Sequence, residues 1–281
     1  MKANLLITGT SGFLGHRAAI YFGEKFNVFT PSHAEMDIAD ADSVTAYFQN
    51  AQPKFVLHCA AVSDVGQCEK EPERSYEINV GGTRNIARAC RDFGAKLIFC
   101  SSDQVYFGSS ETAAHVETEV LSPANVYGRQ KLECEAVCHE YCPDSVSLRL
   151  TWMYDKAHFG ASEHGDFMTT VRAAIDSGRA ISMPVHDTRG ITDVNEVLRG
   201  IEAMLIADGG VYNFGAENNL CTYEAIRAAF KMAGIDENLL IPDNEKFAQK
   251  PRNIAMNTTK ATASGAVFSS TIDGIVRALQ L

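Results

Sequence analysis

Short apolar runs alternate with longer amphipathic stretches along the first half of the chain. The apolar runs predict five strands, at Asn4–Thr8, Asn27–Thr30, Lys54–His58, Lys96–Cys100 and Val146–Leu150. The amphipathic stretches predict helices over residues 13–23, 42–50, 72–92 and 124–141. Strands and helices that alternate through short links are typical of an α/β fold. We therefore predict a Rossmann-type, doubly wound parallel sheet with ligands at the carboxyl ends of its strands.

Capping residues mark the ends of several of these helices. Asp40 or Asp42 can cap the second helix, and Ser122-Pro123 offers a cap and a first-turn proline to the fourth. Pro72 lies near the start of the third helix, and Gly94 follows its end. These signals predict one long helix over residues 72–92.

The pattern is less regular after Leu150, where helical stretches are separated by loop-rich segments. Helices are predicted near residues 166–177, 194–206, 222–233 and 270–279. We expect residues 1–150, with about 193–215, to form a dinucleotide-binding domain. Residues from about 151–192 and 216–281 are expected to form a smaller, C-terminal substrate-binding region.

Composition and charge narrow the class of protein. The 281 residues are 46% hydrophobic and 21% charged, which is ordinary globular usage, so we expect an ordered chain with a sizeable core. A net charge of -10 without a basic cluster argues against nucleic acid as a partner. No apolar run approaches the length of a membrane span, and no secretory leader is evident, so we expect a cytoplasmic protein.

Eight cysteines without paired spacing predict reduced thiols. Cys134, Cys138 and Cys142 recur every four residues beside His139, which allows two interpretations: a metal-binding helix face or a packed apolar stripe. Three thiols on one straight helix cannot converge tetrahedrally on one zinc ion. We therefore predict the packed stripe and no metal site.

A glycine-rich loop follows the first predicted strand. Gly9, Gly12 and Gly15 stand three residues apart and lead directly into a helix. This spacing permits a tight turn and a close backbone approach, and it leaves the amides of the helix N-terminus available to a pyrophosphate. The loop residues expected at a dinucleotide cofactor are Gly9, Ser11, Gly12, Phe13, Leu14 and Gly15.

The end of the second strand bears on the choice between NADP(H) and NAD(H). NAD-binding proteins usually carry an acidic residue there, which binds the ribose hydroxyls and repels a 2′-phosphate. Residues 30–33 contain no acid, and the first acid downstream is Glu35. Arg17 and His33 are candidate phosphate contacts, although Arg17 is also explained as a solvated helix residue. NADP(H) is therefore the favoured cofactor, with NAD(H) as the alternative.

Tyr127 and Lys131 are four residues apart on one predicted helix, so their side chains share a face. Reduction of a ketone creates alkoxide charge that a tyrosine can protonate, and a nearby ammonium is expected to lower the tyrosine pKa toward neutrality. Ser101-Ser102 ends the fourth strand and is expected to point toward the same cleft edge, although Ser101 is also explained by a local bond at a strand end. Taken alone, a Tyr and Lys pair at this spacing is also common on protein surfaces, where it has no catalytic role.

Five ordered segments together carry a resemblance to the extended short-chain dehydrogenase/reductase superfamily. They are residues 9–15, His58–Ala61, Asn79–Thr83, Ser101–Tyr106 and Tyr127–Lys131. Four further stretches make the chain most similar to the dTDP-4-dehydrorhamnose reductase family within it. They are residues 36–40, Val62–Glu69, Arg149–Tyr154 with Trp152, and Pro251–Lys260.

The resemblance implies roles for individual residues. Ser102 would hold the substrate carbonyl, Tyr127 would donate the proton, and Lys131 would tune Tyr127. The cofactor contacts that it implies outside the glycine loop are Asp37 and Ile38 beside the adenine, Cys59, Ala60 and Ala61 along the dinucleotide, and Tyr127 and Lys131. The substrate contacts that it implies are Ser63, Val65, Asp103 and Trp152. Two of the matched residues have simpler explanations, because Trp152 suits a core position and Asn79 suits a tie between a helix and neighbouring backbone.

The chain also departs from the family. A segment that usually reads Asp-Gln-x-Gly-x-Pro-Thr is here Asp187–Thr192, which lacks the proline and contains Arg189. Arg189 can be interpreted as a contact to a diphosphate or as a surface charge.

The leading hypothesis is an NADPH-dependent oxidoreductase that reduces the 4-keto group of a nucleotide-linked deoxysugar, as in dTDP-rhamnose biosynthesis. Two alternatives remain: a nucleotide-sugar epimerase or dehydratase, and a non-catalytic NADP-binding subunit that resembles the regulatory subunit of methionine adenosyltransferase. The expected partner is a small-molecule nucleotide-sugar substrate, with no nucleic acid and no membrane. The sequence leaves open whether the chain forms a homodimer.

Overall fold

The structure is a computed structural model that describes residues 2–156 and 166–280. Its strands are β1 (Asn4–Thr8), β2 (Asn27–Phe29), β3 (Phe55–His58), β4 (Lys96–Ser102), β5 (Val146–Leu150), β6 (Trp152–Tyr154), β7 (Ile181–Pro184), β8 (Asp187–Thr188), β9 (Ile191–Asp193), β10 (Gly210–Phe214), β11 (Leu240–Asp243) and β12 (Arg252–Asn253). Its helices are α1 (Phe13–Gly23), α2 (Ala41–Ala51), α3 (Val65–Lys70), α4 (Pro72–Tyr76), α5 (Gly82–Phe93), α6 (Val126–Tyr141), α7 (Phe167–Ser177), α8 (Val194–Met204), α9 (Thr222–Ala233), α10 (Thr259–Ala263) and α11 (Thr271–Leu279).

The chain divides into two compact units. Unit one comprises Met1–Val105, Ser122–Arg149 and Ile201–Tyr212, and unit two comprises Tyr106–Leu121, Leu150–Gly200 and Asn213–Leu281. Residues 106–121, which the sequence pattern grouped with the first domain, therefore fall in unit two. No helix among the described residues is both long and apolar enough to cross a bilayer.

The largest sheet has six strands in the order β10-β5-β4-β3-β1-β2. β1 pairs in parallel with β2 on one side and with β3 on the other, and β3 pairs in parallel with β4. The chain thus reverses its direction of travel across the sheet at β1, and the carboxyl ends of β1 and β3 meet at this switch point. Ligands bind at such a point in doubly wound sheets. The arrangement confirms the predicted Rossmann-type α/β fold.

Helices α2, α5 and α6 contribute to one hydrophobic core over this sheet. Leu6, Val56, Leu97 and Phe99 present the apolar face of the strands to it. Cys134, Cys138 and Cys142 are buried in the same cluster. The repeated thiols therefore form the packed stripe that their spacing predicted.

The helix predicted over residues 72–92 is confirmed as one continuous helical stretch, in which a π-helical turn at Glu77–Gly81 lies between α4 and α5. This turn contains the buried Asn79, whose Oδ1 accepts from the Val62 N–H at 2.8 Å. The Asn79 amide donates to the Val62 carbonyl at 3.1 Å and to Gln130 Oε1 at 2.8 Å. Asn79 thus ties the turn to neighbouring backbone, as its simpler interpretation predicted. Gly94 ends α5 at a φ of 68°, as predicted.

Unit two is built from three two-stranded parallel pairs, β6 with β9, β7 with β11 and β8 with β12. Its helices α7, α9 and α11 pack on them around a separate core. The largest members of that core are Tyr154, Phe167, Ile226, Phe230 and Ile275.

Candidate active site

Two glycines of the loop after β1 are required by packing. Gly9 has a φ of 71°, and a Cβ there would lie 2.6 Å from the Ala60 nitrogen. A Cβ at Gly15 would collide with the carbonyl oxygen of Gly9. Both positions therefore have to be glycine for α1 to approach the ends of β1 and β3 closely.

Gly12 is different, because it is exposed and has an ordinary φ of -92°. A Cβ there would approach only the Gly9 carbonyl oxygen, at 3.3 Å. Gly12 is the N-cap of α1, and because it has no side chain it cannot cap the first-turn amides of the helix. The absent side chain leaves open the space in front of the first-turn amides of α1, which is where a pyrophosphate fits.

A chain of buried hydrogen bonds lies directly beneath this loop. The Ala60 N–H donates to Thr8 Oγ1 at 3.1 Å, and Thr8 Oγ1 lies 2.7 Å from His58 Nδ1. His58 Nε2 lies 3.2 Å from Thr83 Oγ1, whose hydroxyl donates to the Asn79 carbonyl at 2.5 Å. The Thr83 hydroxyl has one proton and donates it to that carbonyl, so Thr83 Oγ1 must accept a hydrogen bond from His58 Nε2. The imidazole proton is therefore on Nε2.

Burial, with a smaller effect from Lys131, lowers the pKa of His58 to about 3. The ring is therefore neutral at physiological pH, and its free Nδ1 accepts from Thr8. The backbone at Ala60, which the family resemblance places along the dinucleotide, is held in position by this chain.

Ser102 and Tyr127 meet where β4 ends and α6 begins. Ser102 Oγ donates to Asp103 Oδ1 at 3.3 Å and accepts from the Gln104 N–H at 3.2 Å. The Ser102 hydroxyl also lowers the pKa of the neighbouring Tyr127 phenol. A serine hydroxyl and a phenol thus converge on one point, as donors for a carbonyl oxygen must.

Burial raises the pKa of Tyr127 above its ordinary value, and the charge on Asp103 adds to this effect. Lys131 lowers the pKa, as expected from the sequence, but it does not outweigh burial. The expectation that Lys131 brings the phenol toward neutrality is therefore wrong for this structure. The phenol is protonated at physiological pH, which is the state a proton donor requires.

Lys131 is buried one turn beyond Tyr127. Its Nζ donates to the Cys100 carbonyl at 2.7 Å and lies 5.6 Å from the centre of the Tyr127 ring. Burial lowers the pKa of Lys131, but the ionisable groups of Tyr127, Cys134, Cys100 and Cys59 together raise it above its ordinary value. The side chain is thus an ammonium with two N–H donors beyond the one that Cys100 receives.

The start of α6 differs from the prediction. The helix begins at Val126, and its cap is Asn125, whose Oδ1 accepts from the Gly128 N–H at 2.6 Å. The Asn125 amide donates to Gln104 Oε1 at 3.0 Å, and a Cβ at Gly128 would collide with the Gln104 carbonyl. The cap predicted at Ser122-Pro123 is therefore wrong, and the first turn of α6 is fastened to the residues that follow Ser102.

Ser101 was expected beside Ser102 in the cleft, and this expectation is also wrong. Successive side chains of a strand point to opposite faces, so Ser101 turns away from Tyr127. Its hydroxyl is buried and donates to Glu135 Oε1 at 2.5 Å.

The charged residues that bear on the choice between NADP(H) and NAD(H) have specific partners. Arg17 is buried rather than solvated, and its guanidinium lies 3.9 Å from the centre of the Phe13 ring. Glu35 Oε2 accepts from both the N–H and the hydroxyl of Ser32, at 2.8 Å and 2.7 Å. His33 is 86% exposed and lies 3.7 Å from Asp37.

The other expected cofactor and substrate residues of unit one lie in the connections after β2, β3 and β4. Ile38 is buried, and its carbonyl accepts from Asn85 at 2.9 Å. Cys59 Sγ lies 3.5 Å from Cys100 Sγ. Ser63 is exposed, and Val65 opens α3.

Trp152 belongs to unit two and is 39% exposed, so it is not a core residue. Its ring meets Phe167 edge-on at 5.3 Å, and the Arg189 guanidinium lies 5.2 Å from its ring centre. Arg189 therefore covers an exposed aromatic face, an arrangement that neither of its two sequence interpretations included. Asp187, at the start of the same segment, is bound by Arg252 Nε and Nη2 at 2.7 Å and 2.9 Å.

Sequence reasoning missed several buried polar residues that hold these elements. They are Thr8, His58, Thr83, Asn125, Gln130, Glu135 and Arg149. Glu135 had a usable signal, because it stands four residues after Lys131 and shares its helix face.

Comparisons with known proteins agree with this geometry. The family described as the RmlD substrate binding domain matches residues 1–279. A dTDP-4-dehydrorhamnose reductase of Mycolicibacterium smegmatis is 26% identical over 277 residues, covering 94% of this chain and 81% of the relative. Methionine adenosyltransferase 2 subunit beta of Rattus norvegicus is 25% identical over 282 residues, covering 93% and 82%. A solved dTDP-4-dehydrorhamnose reductase from Bacillus anthracis, in complex with NADP, has a TM-score of 0.87 at 25% identity, covering 99% of this chain and 97% of that chain.

Proposed function

Because the chain belongs to the RmlD substrate binding domain family, we propose that it is an NADPH-dependent reductase of the 4-keto group of a dTDP-linked deoxysugar. The observation that carries the proposal is the convergence of Ser102 with the protonated phenol of Tyr127, beside the buried ammonium of Lys131. The similarity of the chain to dTDP-4-dehydrorhamnose reductases supports the proposed class of substrate.

The residues of unit one fit the cofactor. Gly12 leaves room before the amides of α1, and a Cβ there would occupy that room. NADPH, when bound, supplies the hydride. Ser102 and Tyr127 donate hydrogen bonds to the carbonyl oxygen, and Tyr127 transfers its proton there as negative charge develops. Lys131 uses a free N–H to hold the nicotinamide ribose, and its charge stabilises the tyrosinate left behind.

The remaining assignments are part of the proposal. Unit one carries the dinucleotide, with Asp37 and Ile38 at the adenine and residues 59–61 along its length. Ser63, Val65 and Asp103 of unit one contact the sugar nucleotide. We also propose that the protein works in the cytoplasm.

Consumption of NADPH, followed by its absorbance, tests the function directly. We expect dTDP-4-dehydrorhamnose to be reduced with one NADPH consumed per sugar, and the matching sugar that already carries a hydroxyl at C4 to give no reaction. The absence of NADPH oxidation with every 4-keto sugar nucleotide would contradict the proposal. If NADPH still bound, a non-catalytic subunit would become the better explanation, a role favoured by the similarity to methionine adenosyltransferase 2 subunit beta.

Gly12→Val should give a folded protein that no longer binds NADPH. The fold accepts a Cβ at this position with a small shift, because only the Gly9 carbonyl is near, whereas the branched side chain fills the pyrophosphate space. Fluorescence titration with NADPH measures the loss, and thermal unfolding confirms the fold. Gly23→Val is the matched control, because a Cβ there meets nothing within 4 Å. Unchanged NADPH binding by folded Gly12→Val would refute the location of the pyrophosphate.

NADPH should bind more tightly than NADH. Residues 30–33, which follow β2, contain no acid that could bind the ribose hydroxyls and repel a 2′-phosphate. Ser32→Asp should reverse the preference, because it adds a carboxylate and removes the hydroxyl that Glu35 accepts from. Calorimetric titration with both cofactors is the measurement. Equal affinities for the two cofactors in the native protein would contradict this assignment.

A further inference from the structure

The mechanism makes no use of a buried ion pair on the catalytic helix. Glu135 of α6 and Arg149 of β5 are 5% and 3% exposed. Arg149 Nε donates to Glu135 Oε1 at 3.0 Å, and Arg149 Nη2 donates to Glu135 Oε2 at 2.7 Å. Ser101 of β4 donates to the same Oε1 at 2.5 Å. One carboxylate therefore joins α6 to two neighbouring strands of the sheet.

Removing two charges from water is costly, and replacing a buried pair by apolar side chains is often neutral or stabilising. A contribution to stability alone therefore does not explain why the protein has this buried ion pair. Its location suggests another reason, because Glu135 stands one turn beyond Lys131 on the same face of α6. Lys131 binds the carbonyl of Cys100, and Glu135 binds the hydroxyl of Ser101, the next residue of β4.

The catalytic pair also lies between two attachments of α6. Asn125 and Gly128 fasten the first turn to Gln104, and Glu135 fastens the third. Lys131 and Gln130 attach the part of the helix between them, to the Cys100 carbonyl and to Asn79, and Glu135 extends these attachments to the third turn and to β5.

We propose that Glu135, held by Arg149 and Ser101, is a positioning residue that sets where Tyr127 and Lys131 stand against Ser102. This inference rests on the proposed reductase function. Glu135 does not touch the reacting atoms, and its charge is neutralised locally by Arg149. It acts through the placement of α6 on β4.

The decisive variant is Glu135→Leu/Arg149→Met. It removes both buried charges and the oxygen that accepts from Ser101, so both attachments of Glu135 are lost, and it should still fold because apolar side chains often replace a buried ion pair without loss of stability. We expect kcat to fall by about ten- to a hundredfold, the scale of a small misplacement of catalytic groups, with the KM of the sugar nucleotide little changed. Native kcat in the folded variant would overturn the proposal. Should the double variant fail to fold, Arg149→Lys, which retains the charge and one hydrogen bond, should show the same split between kcat and KM in a smaller degree.

A second readout requires no substrate. Absorbance difference titration of each protein against its own Tyr127→Phe derivative reports the phenol pKa. Lys131 lowers this pKa, and Asp103 and Cys68 raise it. Displacement of Lys131 in the variant should therefore raise it further, and an unchanged pKa would count against the proposal. If the native protein reduces no keto sugar, the proposed function fails while this titration still decides the positioning role.

Glu196→Gln is the matched control. Glu196 of unit two is also buried and also accepts from a serine and an arginine, Ser269 Oγ and Arg277 Nη2, each at 2.6 Å. It should change neither kcat nor the titration of Tyr127.

Discussion

Tyr127→Phe is expected to lower kcat by roughly a hundred- to ten-thousandfold, the usual cost of losing a positioned general acid. The ring and its packing are kept, and Ser102 retains its hydrogen bonds to Asp103 and Gln104, so Tm and NADPH affinity should barely change. Single-turnover rates with a 4-keto sugar nucleotide measure the effect. Tyr212→Phe is the control, because it removes another buried phenol. The Tyr212 hydroxyl donates to the Asp208 carbonyl and has no role in the proposed reaction.

The pH profile of the native enzyme should follow from the same residue. Burial holds the pKa of Tyr127 above its ordinary value of about 10, so the donor stays protonated throughout the neutral range. The single-turnover rate of reduction should therefore be level from neutral pH upward and fall only in strongly alkaline solution. Near-native reduction by Tyr127→Phe would mean that another group supplies the proton.

Lys131→Met should impair both turnover and cofactor binding. It keeps the length of the side chain but removes the ammonium that lowers the pKa of Tyr127 and is assigned to the nicotinamide ribose. Loss of hydrogen bonds from a charged donor costs about 1.5–3 kcal/mol, which corresponds to a roughly ten- to hundredfold weaker Kd for NADPH.

Lys96→Met is the matched comparison for this variant. The Lys96 ammonium also donates to a backbone carbonyl in unit one, that of Ala207 at 2.9 Å, and has no role in the proposed reaction. It should leave NADPH affinity and kcat unchanged. If Lys131→Met bound NADPH with native affinity, its assignment to the ribose would be wrong.

Periodicity located β1 to β5 and most of the longer helices within a few residues, because burial of one face imposes the pattern, but it located none of the short strands β6 to β12. It failed where a polar side chain decides the local structure. Asn125 and Ser122 are both good caps by type, and the hydrogen bond from Asn125 to Gln104, a contact between distant residues, determines which is used. The π-helical turn around Asn79 likewise depends on a partner at Val62.

In the candidate site, too, residues placed by local spacing could be predicted, and residues that depend on distant partners could not. Tyr127 and Lys131 could be predicted because their spacing places them on one helix face. The pair of Glu135 and Arg149 could not be predicted, since it joins a helix to a strand and its partners are known only once the sheet is assembled. The state of Tyr127 was misjudged because burial, which is a property of the folded protein, outweighs the nearby charge.

The order of the strands has a consequence for synthesis on the ribosome. β10 borders β5 at one edge of the sheet, yet it is encoded after residues 151–209, most of which belong to unit two. When Arg149 leaves the exit tunnel, β5 has β4 on one side and an open edge on the other. Such an edge can pair with another nascent chain. We therefore expect the interval before residues 210–214 emerge to be the period in which this protein depends most on chaperones.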